Sequence, residues 1–172
     1  MPLKDDDLHR PMQLGRHTVA GVWRALLPED AQWLRLPDEP LSDCSVCPPA
    51  ARGEYHPGCR CCGYLPHVPN ILLALALEDD AAGPKIRGAI ARRLALPSGL
   101  FASALRFRRS VELDARGRFG TEPSMACPFL EPATGGCGIY AYRNSTCSTF
   151  FCVNDHGEAG ESLWEGVQAL LG

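Results

Sequence analysis

Apolar side chains recur at helical spacing in the middle of the chain, on both sides of Gly83 and Pro84. Residues 71–78 are almost continuously apolar, and residues 85–96 carry an apolar side chain at every fourth position from Ile86, with arginines between them. Glycine often ends a helix and proline suits a first helical turn, so this pair marks a boundary. The pattern predicts helices over 71–78 and 85–96 that supply most of the core.

Shorter segments near the ends of the chain are also candidate helices, although residues 1–43 show little periodicity. Residues 19–27 and 28–36 predict two short helices, and residues 161–171 predict a longer C-terminal helix. Each segment contains one tryptophan among its apolar residues, and we expect these large rings to lie in the core. The three tryptophans are Trp23, Trp33 and Trp164.

Residues 105–119 have a different pattern, in which apolar and polar side chains roughly alternate. The apolar positions are Leu105, Phe107, Val111 and Leu113. The segment 114–117 has the composition of a turn, and alternating residues around a turn are typical of a β-hairpin. We therefore expect one small hairpin in a chain whose other regular elements are helical.

The segments 43–69 and 127–152 are rich in glycine, cysteine or proline and show no periodicity. Loops of this length need something besides regular hydrogen bonding to order them. The expected fold is a single, mainly α, irregular domain with loop-rich cysteine clusters and one small β-hairpin. We expect an N-terminal arm over 1–43, a cysteine-cluster metal-binding region over 44–152, and a helix over 153–172 that packs on it.

Composition narrows the class of protein. The chain has 172 residues, 45% of them hydrophobic, which is enough to bury a core without disulfide cross-links. Its formal net charge is -3, and phosphate binding needs a basic surface, so nucleic acid is not an expected partner. The first residues lack a basic start followed by an apolar stretch, so we expect no secretory signal, and the longest apolar run is far below the ~20 residues of a membrane span. We expect a cytoplasmic protein with no membrane partner, and nothing indicates a protein partner.

Nine cysteines fall into two clusters, with none in residues 63–126 between them. The first cluster contains Cys44, Cys47, Cys59, Cys61 and Cys62. The second cluster contains Cys127, Cys137, Cys147 and Cys152. In a reducing compartment, clustered thiols are more often metal ligands than disulfides, and an odd number cannot all be paired. The clusters therefore predict bound metal.

Spacing within the clusters leaves the ligand set open. Cys44 and Cys47 are separated by two residues, as in zinc knuckles and iron–sulfur loops, and Cys59 and Cys62 repeat that gap. Alternatively, both members of the adjacent pair Cys61 and Cys62 are ligands, which suits two centres better than one because neighbouring side chains point apart in extended backbone. The gaps of nine, nine and four residues in the second cluster fit neither a zinc finger nor a bacterial ferredoxin loop.

The two clusters together resemble a known family. The second cluster reads Cys127-Pro128-Phe129-Leu130, then Cys137-Gly138-Ile139-Tyr140, Arg143, Cys147 and Cys152. The first cluster contains Cys-x-x-Cys-Pro and, after an insert, Cys-Cys followed by tyrosine and prolines. Over about residues 44–152 the chain is similar to the YkgJ-type cysteine-cluster family, which is described as a zinc- or iron-chelating domain. Asn144 and Ser148 depart from it, since proline and arginine are usual there.

The resemblance implies eight thiolate ligands, with Cys59 left as an extra cysteine that has no counterpart in the family. The eight implied metal ligands are Cys44, Cys47, Cys61, Cys62, Cys127, Cys137, Cys147 and Cys152. Tyr140 and Arg143 also match the family motif and are the expected cofactor-binding residues. The Arg143 guanidinium suits a hydrogen bond to cluster sulfurs or to a bound anion, and it equally suits a structural pair with a carboxylate.

Irregular gaps and an adjacent cysteine pair favour an iron–sulfur cluster over zinc, because a cluster is larger than one tetrahedral ion. Zinc in a structural or chelating module is the alternative. His56 and His67 flank the first cluster and are more simply exposed loop residues than ligands. No acid, base or nucleophile defines a catalytic site, so the sequence leaves open whether the protein is an enzyme.

Overall fold

The computed structural model describes residues 8–14, 17–27, 39–40, 43–92, 95–150, 152 and 155–171. These residues form a mainly α, irregular single domain with small antiparallel sheets, as the sequence predicts. Within them, no helix is long and apolar enough to cross a membrane.

Helices form most of the regular structure. They are α1 (Trp23–Leu26), α2 (Pro48–Ala51), α3 (Asn70–Glu78), α4 (Gly83–Ala91), α5 (Ala104–Ala115), α6 (Ser145–Thr149) and α7 (Gly157–Leu171). Single 3-10 turns occur between them, at Cys44–Val46, Arg60–Cys62, Pro123–Met125 and Tyr140–Tyr142. Two of these four turns, Cys44–Val46 and Arg60–Cys62, contain cysteines of the first cluster.

The strands are short and are β1 (Met12–Leu14), β2 (His17–Val19), β3 (Val68–Pro69), β4 (Ala95–Leu96) and β5 (Gly99–Leu100). β1 and β2 pair antiparallel, with Met12 opposite Val19. β5 lies between β3 and β4 and is antiparallel to both, so that Leu100 is opposite Val68. This second sheet joins the end of the first cysteine segment to the chain that follows α4.

One hydrophobic core connects the helices and both sheets. Leu72 of α3, Ile86 of α4 and Leu100 of β5 are fully buried in it, and Trp164 of α7 is 4% exposed. The Trp164 indole Nε1 donates to the Oε1 atom of Glu39, 2.7 Å away, so this buried ring has a polar partner. The core thus extends from the central helices to α7.

Helix α3 confirms the prediction over 71–78, but the next helix is shorter than predicted. Helix α4 ends at Ala91, and Ala95–Leu96 forms strand β4 instead of a helical end. The turn at 97–98 reverses the chain so that β4 pairs with β5. Ile90 is 41% exposed, so the four-residue spacing that begins at the buried Ile86 does not follow one buried stripe.

The predicted hairpin over 105–119 is wrong, because Ala104–Ala115 is the helix α5. The Ser103 side chain accepts a hydrogen bond from the Arg106 N–H at 3.4 Å and caps the helix, whose alanine, leucine, arginine and glutamate residues favour helix. Leu105, Phe107 and Val111 are all more than half exposed, so their apparent alternation does not mark the buried face of a strand.

The terminal predictions are confirmed in part. Of residues 19–27, only Trp23–Leu26 is helical, since Val19 ends strand β2. The C-terminal helix is confirmed and begins earlier than predicted, at Gly157. Trp23 and Trp164 lie in the core as expected, whereas the predicted helix over 28–36, with Trp33, lies outside the described residues.

Replacing Leu72 by alanine should lower the free energy of unfolding by about 2–5 kcal/mol, because it removes a fully buried side chain and leaves a cavity. Ile71, the preceding residue of the same helix, is 46% exposed and provides the control. Ile71→Ala should change the free energy of unfolding by less than about 1 kcal/mol. Urea denaturation of both variants tests the prediction, and equal losses would contradict the assigned helix face.

Candidate metal centre

The first cysteine segment is held by short local turns. The Asp43 carboxylate accepts from the Ser45 N–H at 2.8 Å and caps the turn Cys44–Val46. Cys47 then directly precedes α2, which begins with two prolines suited to a first helical turn. Farther along, Cys61 and Cys62 lie together in the turn Arg60–Cys62. Such single turns fix the backbone around each thiol without building a long element.

Contacts with residues 119–127 attach this segment to the rest of the fold. The His56 N–H donates to the Gly120 carbonyl at 2.8 Å, and the buried Cys59 thiol donates to the same carbonyl at 2.8 Å. The Cys127 N–H donates to the Cys62 carbonyl at 2.6 Å. This last bond places the backbones of the two cysteine clusters side by side.

A tight loop joins Cys127 and Cys137 of the second cluster. Leu130 and Cys137 form an isolated antiparallel bridge, and the Gly138 N–H donates to the Phe129 carbonyl at 2.7 Å. The chain therefore folds back on itself between the two cysteines. Their spacing of nine residues, which matches no standard finger, is accommodated by this loop.

Asn144 positions Cys147 at the start of α6. Its Oδ1 accepts from the Cys147 N–H at 2.9 Å and caps the helix, while its Nδ2 donates to the His67 carbonyl at 2.6 Å. The side chain is buried, and it links the second cluster to the chain that follows the first. A proline, usual here in the resembling family, would make neither bond.

Two further contacts connect the second cluster to the helices of the core. Lys85 of α4 forms an ion pair with Glu131 at 2.8 Å. The Tyr142 hydroxyl donates to the Asp79 carboxylate at 2.9 Å, and burial together with this bond raises the pKa of Tyr142 to about 12. The second cluster is therefore fixed to the helical core at the loop and at the turn that follows it.

All eight predicted ligand cysteines line one cavity of about 460 Å³. They are Cys44, Cys47, Cys61, Cys62, Cys127, Cys137, Cys147 and Cys152. Aromatic rings form much of the remaining wall, and Tyr140 and Arg143 also line it. The fold thus brings together cysteines from both sequence clusters, with the two expected cofactor-binding residues beside them.

The other candidate ligands have different surroundings. Cys59 is fully buried away from the cavity wall, with its thiol bonded to Gly120. The His56 Nδ1 accepts from the Gly58 N–H at 2.9 Å, and the His67 ring stacks on Phe101 with centroids 4.1 Å apart. Neither histidine lines the cavity, so their rings contribute to loop structure and not to the set of ligands.

Burial favours the protonated form of three cavity thiols, those of Cys127, Cys137 and Cys147. It raises the pKa of Cys127 and of Cys147 to about 12, and it also raises the pKa of Cys137. The hydrogen bond between Cys61 and Cys62, followed by burial, raises the pKa of the Cys61 thiol. A metal that binds here must displace these protons, since the thiolate is the ligand form.

Electrostatic neighbours show that the two sequence clusters mix in space. Burial raises the pKa of Cys44, and nearby Cys61, Cys152 and Cys47 raise it further. Cys152, the last cysteine of the chain, therefore lies near the first one. Cys44 and Cys61 act in the same direction on the pKa of Cys137, after burial. Sequence clusters and spatial groups of thiols are not the same sets.

Two arginines bring positive charge to the cavity wall. The Arg143 guanidinium carbon lies 3.8 Å from the centroid of the Tyr140 ring, and Arg143 Nε donates to the Tyr140 carbonyl at 3.2 Å. Its charge opposes the rise in pKa of Cys137 and Cys147. Arg60, which sequence reasoning missed, also lines the cavity. A cation inside a run of thiols, Cys-Arg-Cys-Cys, is the signal that could have found it.

The thiols surround the cavity without converging on one point. Among the described residues, no three histidine, cysteine, aspartate or glutamate side chains form a group that could hold a metal ion.

No family model, curated protein or solved structure matches the chain. The resemblance to the YkgJ-type family stays a prediction.

Alkaline pH should destabilise the metal-free, reduced protein. In the folded protein the pKa values of Cys127 and Cys147 are about 12, whereas an unfolded cysteine has a pKa of about 8.5. Above about pH 8.5 the unfolded thiols lose their protons and the folded ones keep them. The free energy of unfolding should therefore be constant below that pH and fall above it by about 1.4 kcal/mol per thiol for each pH unit. Urea denaturation across this range tests the prediction, and a Cys127→Ala, Cys147→Ala variant should show a shallower fall. A pH-independent free energy of unfolding would contradict it.

Asn144→Ala should lower the free energy of unfolding by about 2–3 kcal/mol, because it removes the helix cap and leaves the His67 carbonyl without its donor. Asn144→Ser is the matched control, since serine caps a helix but is too short to reach that carbonyl. It should recover about half of the loss. Equal free energies of unfolding for the alanine and serine variants would show that the cap contributes nothing.

Proposed function

We propose that this protein binds metal through cysteine thiolates, as an iron–sulfur cluster or clusters held in the cavity. The observation that supports this most directly is that eight cysteines line one cavity of about 460 Å³. Buried free cysteines behave as small hydrophobes and have no reason to collect around an open space. Metal ligation explains why the eight cysteines surround one cavity, because each thiolate would then bind a metal atom inside it.

The number and the chemistry of the cavity thiols suit an iron–sulfur cluster. Four thiolates satisfy one cluster or one zinc ion, so eight supply two centres or one larger shared centre. Arg60 and Arg143 at the wall would offset part of the negative charge of the thiolates. Aromatic residues in the wall lower the polarity around a bound centre, which influences its redox potential. These features support a centre that is held by the protein.

Cavity size favours a cluster over zinc. A tetrahedral zinc ion takes four thiolates at about 2.3 Å and leaves almost no space between them. Thiols spread around about 460 Å³ suit a group that has several metal atoms and its own sulfides. When bound, a cluster would supply one-electron redox chemistry, while the chain contributes the thiolates, their spacing and the positive charge at the wall.

A cytoplasmic protein of the YkgJ-type class is consistent with this function, because a reducing compartment keeps the thiols available as ligands. No residue in the cavity is assigned to acid, base or nucleophilic catalysis. The proposal is therefore a metal-binding protein with redox capacity, and a zinc-stabilised or metal-chelating module is the outcome if iron is not found.

Anaerobic purification followed by quantification of iron, acid-labile sulfide and zinc tests the proposal. Iron and sulfide together, with broad visible absorbance, are the expected result. Stoichiometric zinc without colour would overturn the cluster and support the zinc module. Folded protein that contains neither metal and takes up neither would overturn metal binding altogether.

Replacing Cys127 by serine should remove most of the bound metal, because it removes a thiolate from the cavity wall. Cys59→Ser is the matched control, since its hydroxyl can still donate to the Gly120 carbonyl and the residue lies outside the cavity. It should keep the metal content of the wild-type protein. Equal metal loss in both variants, measured by elemental analysis of folded protein, would contradict the assignment of the eight ligands.

A further inference from the structure

Arg60 has a backbone conformation that is unusual for its residue type. Its φ is 53°, and it is the only non-glycine residue with positive φ in the part of the chain that the structure describes. A long side chain in the left-handed region is strained, and such strain persists only where surrounding contacts hold it. The contacts of the Arg60 side chain therefore indicate what the strained backbone supports.

The Arg60 guanidinium connects distant parts of the first cysteine segment. Its Nε donates to the Pro57 carbonyl at 3.0 Å, and its Nη1 donates to the Cys44 carbonyl. The first bond keeps the side chain folded over its own loop. The second fixes the backbone of Cys44 against the turn that contains Cys61 and Cys62.

The same guanidinium lies against the loop of the second cluster. A Cβ atom placed on Gly135, whose φ is +70°, would overlap Nη1 of Arg60. Gly135 belongs to the loop between Cys127 and Cys137, so Arg60 fills the space between the Cys44 carbonyl and that loop. One side chain therefore contacts both cysteine clusters.

The positive charge of Arg60 also favours a metal centre at this place. Four thiolates around a divalent ion leave two net negative charges, and a thiolate-bound cluster is also anionic. A guanidinium at the cavity wall lowers the energy of such a centre, most strongly where burial weakens screening by solvent. Arg143 has the corresponding position near Cys137 and Cys147, and Arg60 has it near Cys44 and Cys61.

We propose that Arg60 is a positioning residue of the metal centre, which holds the Cys44 segment against the Gly135 loop and places one positive charge beside the thiolates. This inference rests on the proposed metal-binding function. It assigns the strained backbone at residue 60 to metal binding rather than to the stability of the fold.

Arg60→Gly separates these two roles. Glycine adopts positive φ without strain, so the metal-free variant should unfold at the same temperature as the wild-type protein or a higher one. Its affinity for Co²⁺ or Zn²⁺, measured by titration of the metal-free protein against a competing chelator, should fall about 10–100-fold. The thiolate-to-Co²⁺ absorption band should also shift, because the Cys44 backbone has lost its donor.

Gly135→Ala provides an independent test that leaves Arg60 in place. Gly117→Ala is its control, because Gly117 has a similar φ of +63° but nothing within 4 Å of a Cβ there. Both variants carry the same backbone strain, and only Gly135→Ala displaces the guanidinium. We expect the loss of metal affinity in Gly135→Ala alone. In cluster-loaded protein, the rate of iron removal by a chelator should rise in the same variant.

Wild-type affinity in both Arg60→Gly and Gly135→Ala would overturn the role of Arg60, even if the wild-type protein binds metal as proposed. Equal losses in Gly135→Ala and Gly117→Ala would also overturn it, since backbone strain would then explain the effect. A wild-type protein that binds neither Co²⁺ nor Zn²⁺ and holds no cluster would instead refute the proposed function. The two failures are therefore distinguishable.

Discussion

The hydrogen bond from the Cys127 N–H to the Cys62 carbonyl holds the two halves of the cavity together. The first cysteine segment contains single turns, one four-residue helix and, at its end, the two-residue strand β3, so little of its order comes from its own backbone. Ordering such a loop costs conformational entropy that contacts elsewhere must offset. Its contacts with Gly120 and Cys127 do so, and they set the distance between thiols that are far apart in the chain.

The parts of the fold that could be predicted are those in which local preference and burial agree. Helix α3 is strongly apolar and its Leu72 is fully buried, so the pattern and the structure coincide. Helix α5 could not be recognised in this way, because Leu105 and Phe107 are exposed and their two-residue spacing resembles that of a strand. The end of α4 depends on the pairing of β4 with β5, a tertiary contact that the local sequence does not report.

The candidate site shows the same division. The resemblance selected the eight cysteines that line the cavity and left out Cys59, whose thiol is bonded elsewhere. Which cysteines of the two clusters approach each other could not be predicted, because the approach of Cys152 to Cys44 depends on the path of the whole chain. Arg60 was missed for a similar reason, since its contact with Gly135 exists only after both loops have folded.

The overlap between Arg60 and any side chain at residue 135 also has an evolutionary consequence. Gly53, Gly117 and Gly157 have positive φ but face open space, so asparagine or aspartate could replace them at modest cost. Position 135 does not have that freedom while arginine occupies position 60. A change at residue 60 would widen the set of residues accepted at 135, so in related chains the two positions should vary together.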